Sequence, residues 1–322
     1  MSARVLVTGA TGFIGRHLVE RLRREGHDVW ALSRIPASDA GQVHAVQADL
    51  RDPQALVGLT TPMDAIFHLA GLTSPQQTLD DSEAAMLVNG LGTLRVLACA
   101  RRMGTPSIIL ASSVYIYDGC TEFPWHETLP VQPRSPLGAS KLAAEAAARM
   151  FWYCYQVPSV ALRLFTVYGP GARASQFVPS ALQRIIDSPG PQVRFGPGES
   201  TRDFVYIEDV ITALMQAWSF SAGLKGCAVL NIASGVETRI AEIVEIMLRV
   251  CGRAELQACF EPVGSRLDER HGPTRHWASI EQARQRLDWS PTISLEVGLR
   301  RTVDALRNAQ AVGHPAHVVE VR

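Results

Sequence analysis

Short apolar runs separated by amphipathic stretches fill the first half of the chain. Val5–Thr8, Asp28–Leu32, His44–Gln47, Ala65–Leu69, Ser107–Ser112 and Pro158–Leu164 read as strands, several of them continuously apolar rather than alternating. Between them, Phe13–Glu25 has a helical period that stops at Gly26, and Ser82–Met103 reads as one long helix closed by Gly104. A further helix is expected from Pro136 to about Tyr155, with Ser135 as its cap. Apolar strands joined by helices mean parallel βαβ units, buried on both faces.

After Tyr168 the texture loosens, punctuated by Gly169, Pro170, Gly171, Pro191, Gly196, Pro197 and Gly198. A strand at Ala228–Ile232 is expected to return to the first sheet. Helices at about Arg239–Cys251, Ser279–Leu287 and Leu295–Asn308 complete the pattern. With 322 residues, the chain suits one large α/β unit or two lobes.

Composition narrows the classes. The hydrophobic share is 47%, normal for a packed core, and 31 basic residues balance 31 acidic ones. No net field points to nucleic acid or to an anionic membrane surface. No apolar run reaches the roughly 18 residues of a membrane span, and the start of the chain has no signal-peptide series. The six cysteines form no CxxC pair, and the nine histidines form no HxH or HExxH pattern. These features predict reduced, mostly buried thiols, no metal site and a cytoplasmic protein.

The candidate chemistry begins at the first turn. Val5-Leu-Val-Thr-Gly9-Ala-Thr11-Gly12-Phe13-Ile14-Gly15 is strand, tight turn, helix. Amide groups at a helix start, with the positive end of its dipole, suit a pyrophosphate. Gly9 permits the turn, Gly12 lets phosphate approach, and Gly15 lets helix and strand pack closely. The fold class expected is therefore α/β: a doubly wound parallel Rossmann sheet of about seven strands with a smaller, interleaved α-rich substrate lobe. Residues 1–166, with about 201–233, should form the dinucleotide-binding domain. Residues 167–200 and 234–310 should form the substrate lobe, and 311–322 a frayed tail.

Taken with later segments, this turn resembles the extended short-chain dehydrogenase/reductase family, the nucleotide-sugar epimerases and dehydratases. The resemblance runs over about residues 4–300. It is carried by TGATGFIG at 8–15, ADLRD at 48–52, HLAG at 68–71, SSVYIY at 112–117, SPLGASK at 135–141, RLFTVYGPG at 163–171 and RDFVYIEDV at 202–210. It implies a cofactor of NAD or NADP, with Asp49 and Leu50 at the adenine and the backbone of Leu69, Ala70 and Gly71 against the cofactor. At the end of the second strand, Ser33 stands where an acid would bind the ribose of NAD, and Arg34 can pair with a 2′-phosphate; NADP is favoured.

The family pairs a Ser or Thr with a Tyr-x-x-x-Lys motif. Ser113 fits the first role, orienting the sugar, and Lys141 the last, holding the nicotinamide ribose. Four residues before Lys141, on the same helix face, stands Leu137 in place of the acid/base Tyr. An isobutyl group cannot carry a proton. Tyr115 is the candidate substitute, with Tyr117, Asp118, Glu122, His126 or Lys141 itself as alternatives. Tyr115 is expected on the strand end, facing the same side as Ser113. By the same resemblance Thr166, Phe195, Arg202 and Arg266 or Arg270, with Ser113 and Leu137, touch a nucleotide-linked sugar. Glu208 and Asp209 are expected to cap a helix at Val210, and His68 to be a satisfied core residue.

The leading expectation is an NAD(P)-dependent enzyme that begins with hydride transfer at C4 of the sugar and ends in epimerisation, reduction or an unusual dehydration. The ligand should lie at the carboxyl ends of the strands, between the lobes. The alternatives are a catalytically silent NAD(P)-binding sensor or scaffold, and an engineered knock-out of an ordinary epimerase. A homodimer is expected through the helices at 82–103 and 137–155.

Overall fold

The computed structural model describes residues 2–35, 43–260 and 274–311. Its centre is a seven-stranded sheet of β1 (Arg4–Thr8), β2 (Asp28–Ser33), β3 (Val43–Gln47), β4 (Ala65–His68), β5 (Ile108–Ser113), β6 (Ser159–Leu164) and β11 (Cys227–Ile232). The order is β11-β6-β5-β4-β1-β2-β3, and every pairing is parallel. The order turns back between β1 and β4, which is where α/β sheets of this kind bind ligands. Strands β4 and β6 are buried at every position, as both-face burial requires.

The helices follow the sequence signals closely. Helix α1 (Phe13–Arg24) is followed by Gly26 at φ +80°. Helix α5 (Pro136–Tyr155) is capped by the Ser135 hydroxyl, which accepts from the Gly138 amide at 3.1 Å. The long helix at 82–103 is composite. It runs as α3 (Ser82–Ala85), a π-helical turn (Met86–Leu91) and α4 (Gly92–Met103), and Gly104 closes it at φ +66°. By length and composition it also meets the criteria for a membrane span, with mean hydropathy 1.2, against the sequence expectation. Half of it is buried, and Val96, Leu97, Cys99, Ala100 and Met103 join the core under the sheet.

Two helices were not anticipated, α2 (Pro75–Asp80), although Ser74 caps it and Pro75 opens it, and α6 (Phe177–Asp187); the helix expected at Val210 is α7 (Ile207–Ser221). The second half otherwise matches, with α8 at Ile240–Val250 and helices at Glu281–Leu287 and Leu295–Ala311. The cysteines are all unpaired but less buried than expected. Cys99 and Cys251 are buried, Cys120, Cys227 and Cys259 half-buried, and Cys154 exposed.

The chain divides into two compact units. The first comprises 1–164, 211–232 and 280–289, and the second 165–210, 233–279 and 290–322. Residues 201–210 thus pack with the second unit, and 280–289 with the first. In the second unit, β7 (Thr166–Tyr168) pairs with β10 (Phe204–Tyr206), β8 (Gln192–Phe195) with β13 (Gln257–Phe260), and β9 (Thr201–Arg202) with β12 (Thr238–Arg239). Glu208 and Asp209 sit inside the first turn of α7 rather than capping it. Asp209 accepts from the amides of Thr292 and Ile293 at 3.0 and 3.1 Å, and Glu208 pairs with Arg301 at 2.8 Å.

A buried polar network braces β5, β6 and α5 of the first unit. Arg163 makes a two-pronged pair with Glu145, at 3.0 and 2.7 Å, and both side chains are within 4% of full burial. Glu145 also accepts from the Ser112 hydroxyl at 2.6 Å. Arg163 donates to the Tyr117 oxygen at 2.7 Å, and that phenol donates to Asn231 at 2.8 Å. Removing one partner of such a pair strands a buried charge. Glu145→Ala is therefore expected to cost about 3–5 kcal/mol in urea unfolding; a loss near zero would show that the network does not brace the fold.

Candidate active site

The opening turn is built by backbone proximity. Gly9 has φ +69°, and a Cβ on it would stand 2.7 Å from the Ala70 nitrogen. A Cβ on Gly15 would stand 2.1 Å from the Gly9 carbonyl oxygen. The Gly12 amide donates to that oxygen at 2.9 Å, so its own direction is fixed. Gly12 caps α1 without a side-chain bond, and the first turn holds no acid. Thr11 is exposed, Phe13 and Ile14 half-buried, and Gly15 buried. Arg16 is also in this first turn, where a cation is disfavoured by the helix dipole unless an anion is nearby. Burial lowers its pKa, so a partly desolvated cation stands in the turn. The sequence reading missed it, although its position one residue after Gly15 was legible. A glycine cradle with no room for side chains, an uncapped helix start and this cation fit a dinucleotide diphosphate.

The neighbouring strand ends carry the other expected cofactor residues. Ser33 is buried, and its hydroxyl donates to the Ile35 carbonyl; Arg34 is exposed. Asp49 is gripped by Arg51 at 2.6 Å, which holds its carboxyl below the usual range, and Arg34 adds to that field. Leu50 is buried, with its carbonyl taken by Arg95. Leu69, Ala70 and Gly71 follow β4, half-buried, with the first two against Gly9. His68 is the satisfied core residue expected: it bonds Thr8 Oγ1 at 2.7 Å and Thr93 Oγ1 at 2.9 Å.

Ser113 ends β5, and its hydroxyl accepts from the Tyr115 amide at 3.3 Å. The strand stops there. Tyr115 lies in a 3₁₀ turn, Val114–Tyr117, so strand alternation does not set its direction. This corrects the sequence argument while keeping Tyr115 beside the start of α5. A Cβ on Gly138 would meet the Tyr115 carbonyl oxygen at 2.2 Å. Leu137, the residue before, is 1% exposed.

Lys141 lies one turn further along α5, buried, donating to the Ala111 carbonyl at 2.8 Å. Its Nζ would be 3.0 Å from a Cβ on Gly71. Burial lowers its pKa to about 8, against an opposing pull from Glu145. Among the alternative proton carriers, Tyr117 is locked in the buried network and burial raises its pKa. Asp118 accepts from the Arg134 amide, Glu122 is exposed, and His126 bonds Thr128 at 2.8 Å.

Asn89 was not anticipated. It sits buried in the π-helical turn, a feature frequent at functional sites. Its amide grips Leu72 at both backbone groups, 2.9 and 3.0 Å, and donates to Ser140 at 2.9 Å, next to Lys141. The only sequence signal was a polar residue inside an apolar helix.

In the second unit, Thr166 opens β7 and is half-buried, its amide donating to the Asp203 carbonyl at 3.0 Å. Phe195 is 3% exposed, with the Arg184 guanidinium 4.9 Å and the Phe260 ring 5.9 Å from its centre. It is a packed ring, not an open face for a base; Phe260, over Gly198, is the more exposed. Arg202 donates to the carbonyls of Thr201 and Thr274 at 2.7 and 3.1 Å. Asp203 accepts from Ser234 and Gly235, and burial raises its pKa to about 6. Arg266 and Arg270 lie outside the described residues. No group of three or more His, Cys, Asp or Glu among the described residues is placed to hold a metal.

A seven-stranded parallel sheet whose order turns back at a glycine cradle defines a dinucleotide-binding α/β enzyme of the extended short-chain dehydrogenase/reductase type. The chain belongs to the NAD dependent epimerase/dehydratase family, which it matches over residues 5–233. It is 31% identical to a UDP-glucose 4-epimerase of Mycolicibacterium smegmatis, over 95% of this chain and 99% of that protein. The structure of MoeE5 in complex with UDP-glucuronic acid and NAD superposes with a TM-score of 0.83 at 32% identity, covering 95% and 99% of the two chains. RMD from Pseudomonas aeruginosa complexed with NADPH superposes with a TM-score of 0.81 at 26% identity, covering 96% and 98%.

The Lys141 pKa has a testable consequence. It falls from 10.5 to about 8 on burial, so the fold prefers the neutral amine. The stability this group contributes is full above pH 10.5 and is lost as the pH falls through 8. Lys141→Met is expected to raise Tm by about 2–4 °C at pH 7, a gain that shrinks towards pH 10.5. A lower Tm at pH 7 would show that the lysine is structural instead.

Proposed function

We propose that this chain is an NAD(P)-dependent enzyme acting at C4 of a nucleotide-linked sugar. The observation that carries the reading is the cluster of Ser113, Tyr115 and Lys141 beside the glycine cradle. The nicotinamide cofactor, when bound, supplies the hydride acceptor. Ser113, at the end of β5, orients the sugar's 4-oxygen by hydrogen bonding. Lys141 holds the nicotinamide ribose with a buried ammonium and stabilises negative charge next to it. Tyr115 takes the proton from the 4-hydroxyl, in place of the phenol missing at Leu137. The contact of Gly138 with the Tyr115 backbone supports this, because it puts Tyr115 in the neighbourhood of the vacant role. Ser33, at the end of β2 where an acid would select NAD, and the exposed Arg34 after it favour NADP.

A second reading has its own observation. Leu137 is fully packed where the family carries its acid/base, which suits a silent dinucleotide-binding module. Turnover of UDP-glucose and UDP-glucuronic acid separates the two. The enzyme reading expects product from the wild-type chain, and a fall of about 10²–10⁴ in rate for Tyr115→Phe. Product from Leu137→Tyr alone, with an inert wild type, would establish the silent or engineered reading.

We also propose that two copies pair through the faces of the composite helix at 82–103 and of α5. Met86, Leu91, Leu94, Met150, Tyr153 and Tyr155 are exposed there, while Phe151 belongs to the core. Sedimentation at micromolar concentration is expected to give a dimer; a monomer at that concentration would contradict the pairing.

A further inference from the structure

A single chain of hydrogen bonds crosses the core of the first unit, and its directions can all be assigned. Thr93, in α4, donates its hydroxyl one turn back to the Asn89 carbonyl at 2.6 Å. A carbonyl only accepts, so that hydroxyl proton is committed. The contact of Thr93 Oγ1 with His68 Nε2, 2.9 Å, must then be donated by the imidazole. Burial and the nearby Lys141 ammonium lower the His68 pKa to about 3, so the ring is neutral and Nδ1 accepts. Thr8 therefore donates to Nδ1 at 2.7 Å, while its oxygen accepts from the Ala70 amide at 3.2 Å. Each imidazole nitrogen is used once, and each hydroxyl once as donor and once as acceptor, in one consistent sense, as a buried network requires.

The two ends of this chain are functional backbone. Thr8 is the last residue of β1, directly before Gly9. Ala70 is the residue whose backbone leaves no room for a Cβ on Gly9. At the other end, the residue whose carbonyl closes the chain, Asn89, also donates to Ser140, beside Lys141.

We propose that His68 and Thr93 are positioning residues that set the cofactor cradle. The Nε2–H imidazole, fixed by Thr93, orients the Thr8 hydroxyl, which holds the Ala70 amide at the right depth against the glycine turn. This rests on the reading of that turn as the dinucleotide site, and not on the identity of the sugar. Thr93→Val keeps the shape and removes the hydroxyl, leaving Nε2–H unpaired in the core. The imidazole is then free to change tautomer, and the hold on Ala70 is lost.

Two measurements test the proposal. In spectra of the wild-type chain labelled with ¹⁵N-histidine, His68 is expected to be protonated at Nε2 and unprotonated at Nδ1; the opposite tautomer, or a cationic ring at pH 7, overturns it. In coenzyme titrations followed by fluorescence, Thr93→Val is expected to bind about tenfold more weakly, with Thr93→Ser within about twofold of wild type. Equal binding by wild type and a folded Thr93→Val overturns the positioning role while leaving the cradle intact. A wild-type chain that binds neither NAD nor NADP overturns the cradle and the proposal together.

Discussion

A Cβ on Gly15 would lie 2.1 Å from the Gly9 carbonyl oxygen, and one on Gly9 2.7 Å from the Ala70 nitrogen. Three stretches of backbone, from the end of β1, the start of α1 and the exit of β4, therefore meet with no side chain between them. That close approach is possible only with glycine, and it depends on the strand order turning back between β1 and β4. The start of α1 has no side-chain cap there, at the positive end of the helix dipole. The remaining features of the first unit support this meeting point. Thr8, His68 and Thr93 fix it from below, and Asn89 ties it to α5. The pair of Arg163 and Glu145 braces α5 against the sheet.

The molecule thus combines a close-packed glycine turn with an aliphatic residue one helical turn before Lys141. Lys141 is buried beside Gly71, with an ammonium held at about 8 that is well matched to proton chemistry near neutrality. The position one turn before it is an aliphatic side chain sealed in the core. A positioned general acid or base is worth roughly 10²–10⁴ in rate, so the chain either uses another proton carrier or does not turn over. Packing around Gly138 sets the Tyr115 backbone against the start of α5. The Tyr117 phenol is buried and doubly bonded within the network of Arg163 and Asn231.

Much of this was legible in the residues. The strands of the parallel sheet were marked by apolar runs, and α1 and α5 by Gly26 and by Ser135-Pro136, because local caps and periodicity decide those elements. Helix α6 was hidden because its start lacks such marks, Gln176 making no side-chain cap, while α7 was marked by Glu208 and Asp209 but begins three residues earlier than expected, directly after β10. The π-helical turn at Met86–Leu91 carries no side-chain cap and no proline that separates it from the α-helical turns on either side. At the site, glycine spacing and the Leu137 anomaly could be read directly. The direction of Tyr115 could not, because it depends on β5 ending at Ser113 and not two residues later. Phe195 was misread for a related reason: its burial under Phe260 and Arg184 arises from contacts across the second unit.

The claim on which the account rests is that the glycine turn at 9–15 holds the diphosphate of a nicotinamide dinucleotide. Isothermal calorimetry of the purified, coenzyme-stripped chain with NAD and with NADP addresses it most directly. Saturable binding at one site per chain, tighter for NADP, is the expected result. No heat with either coenzyme, and none released from the protein as isolated, would contradict it.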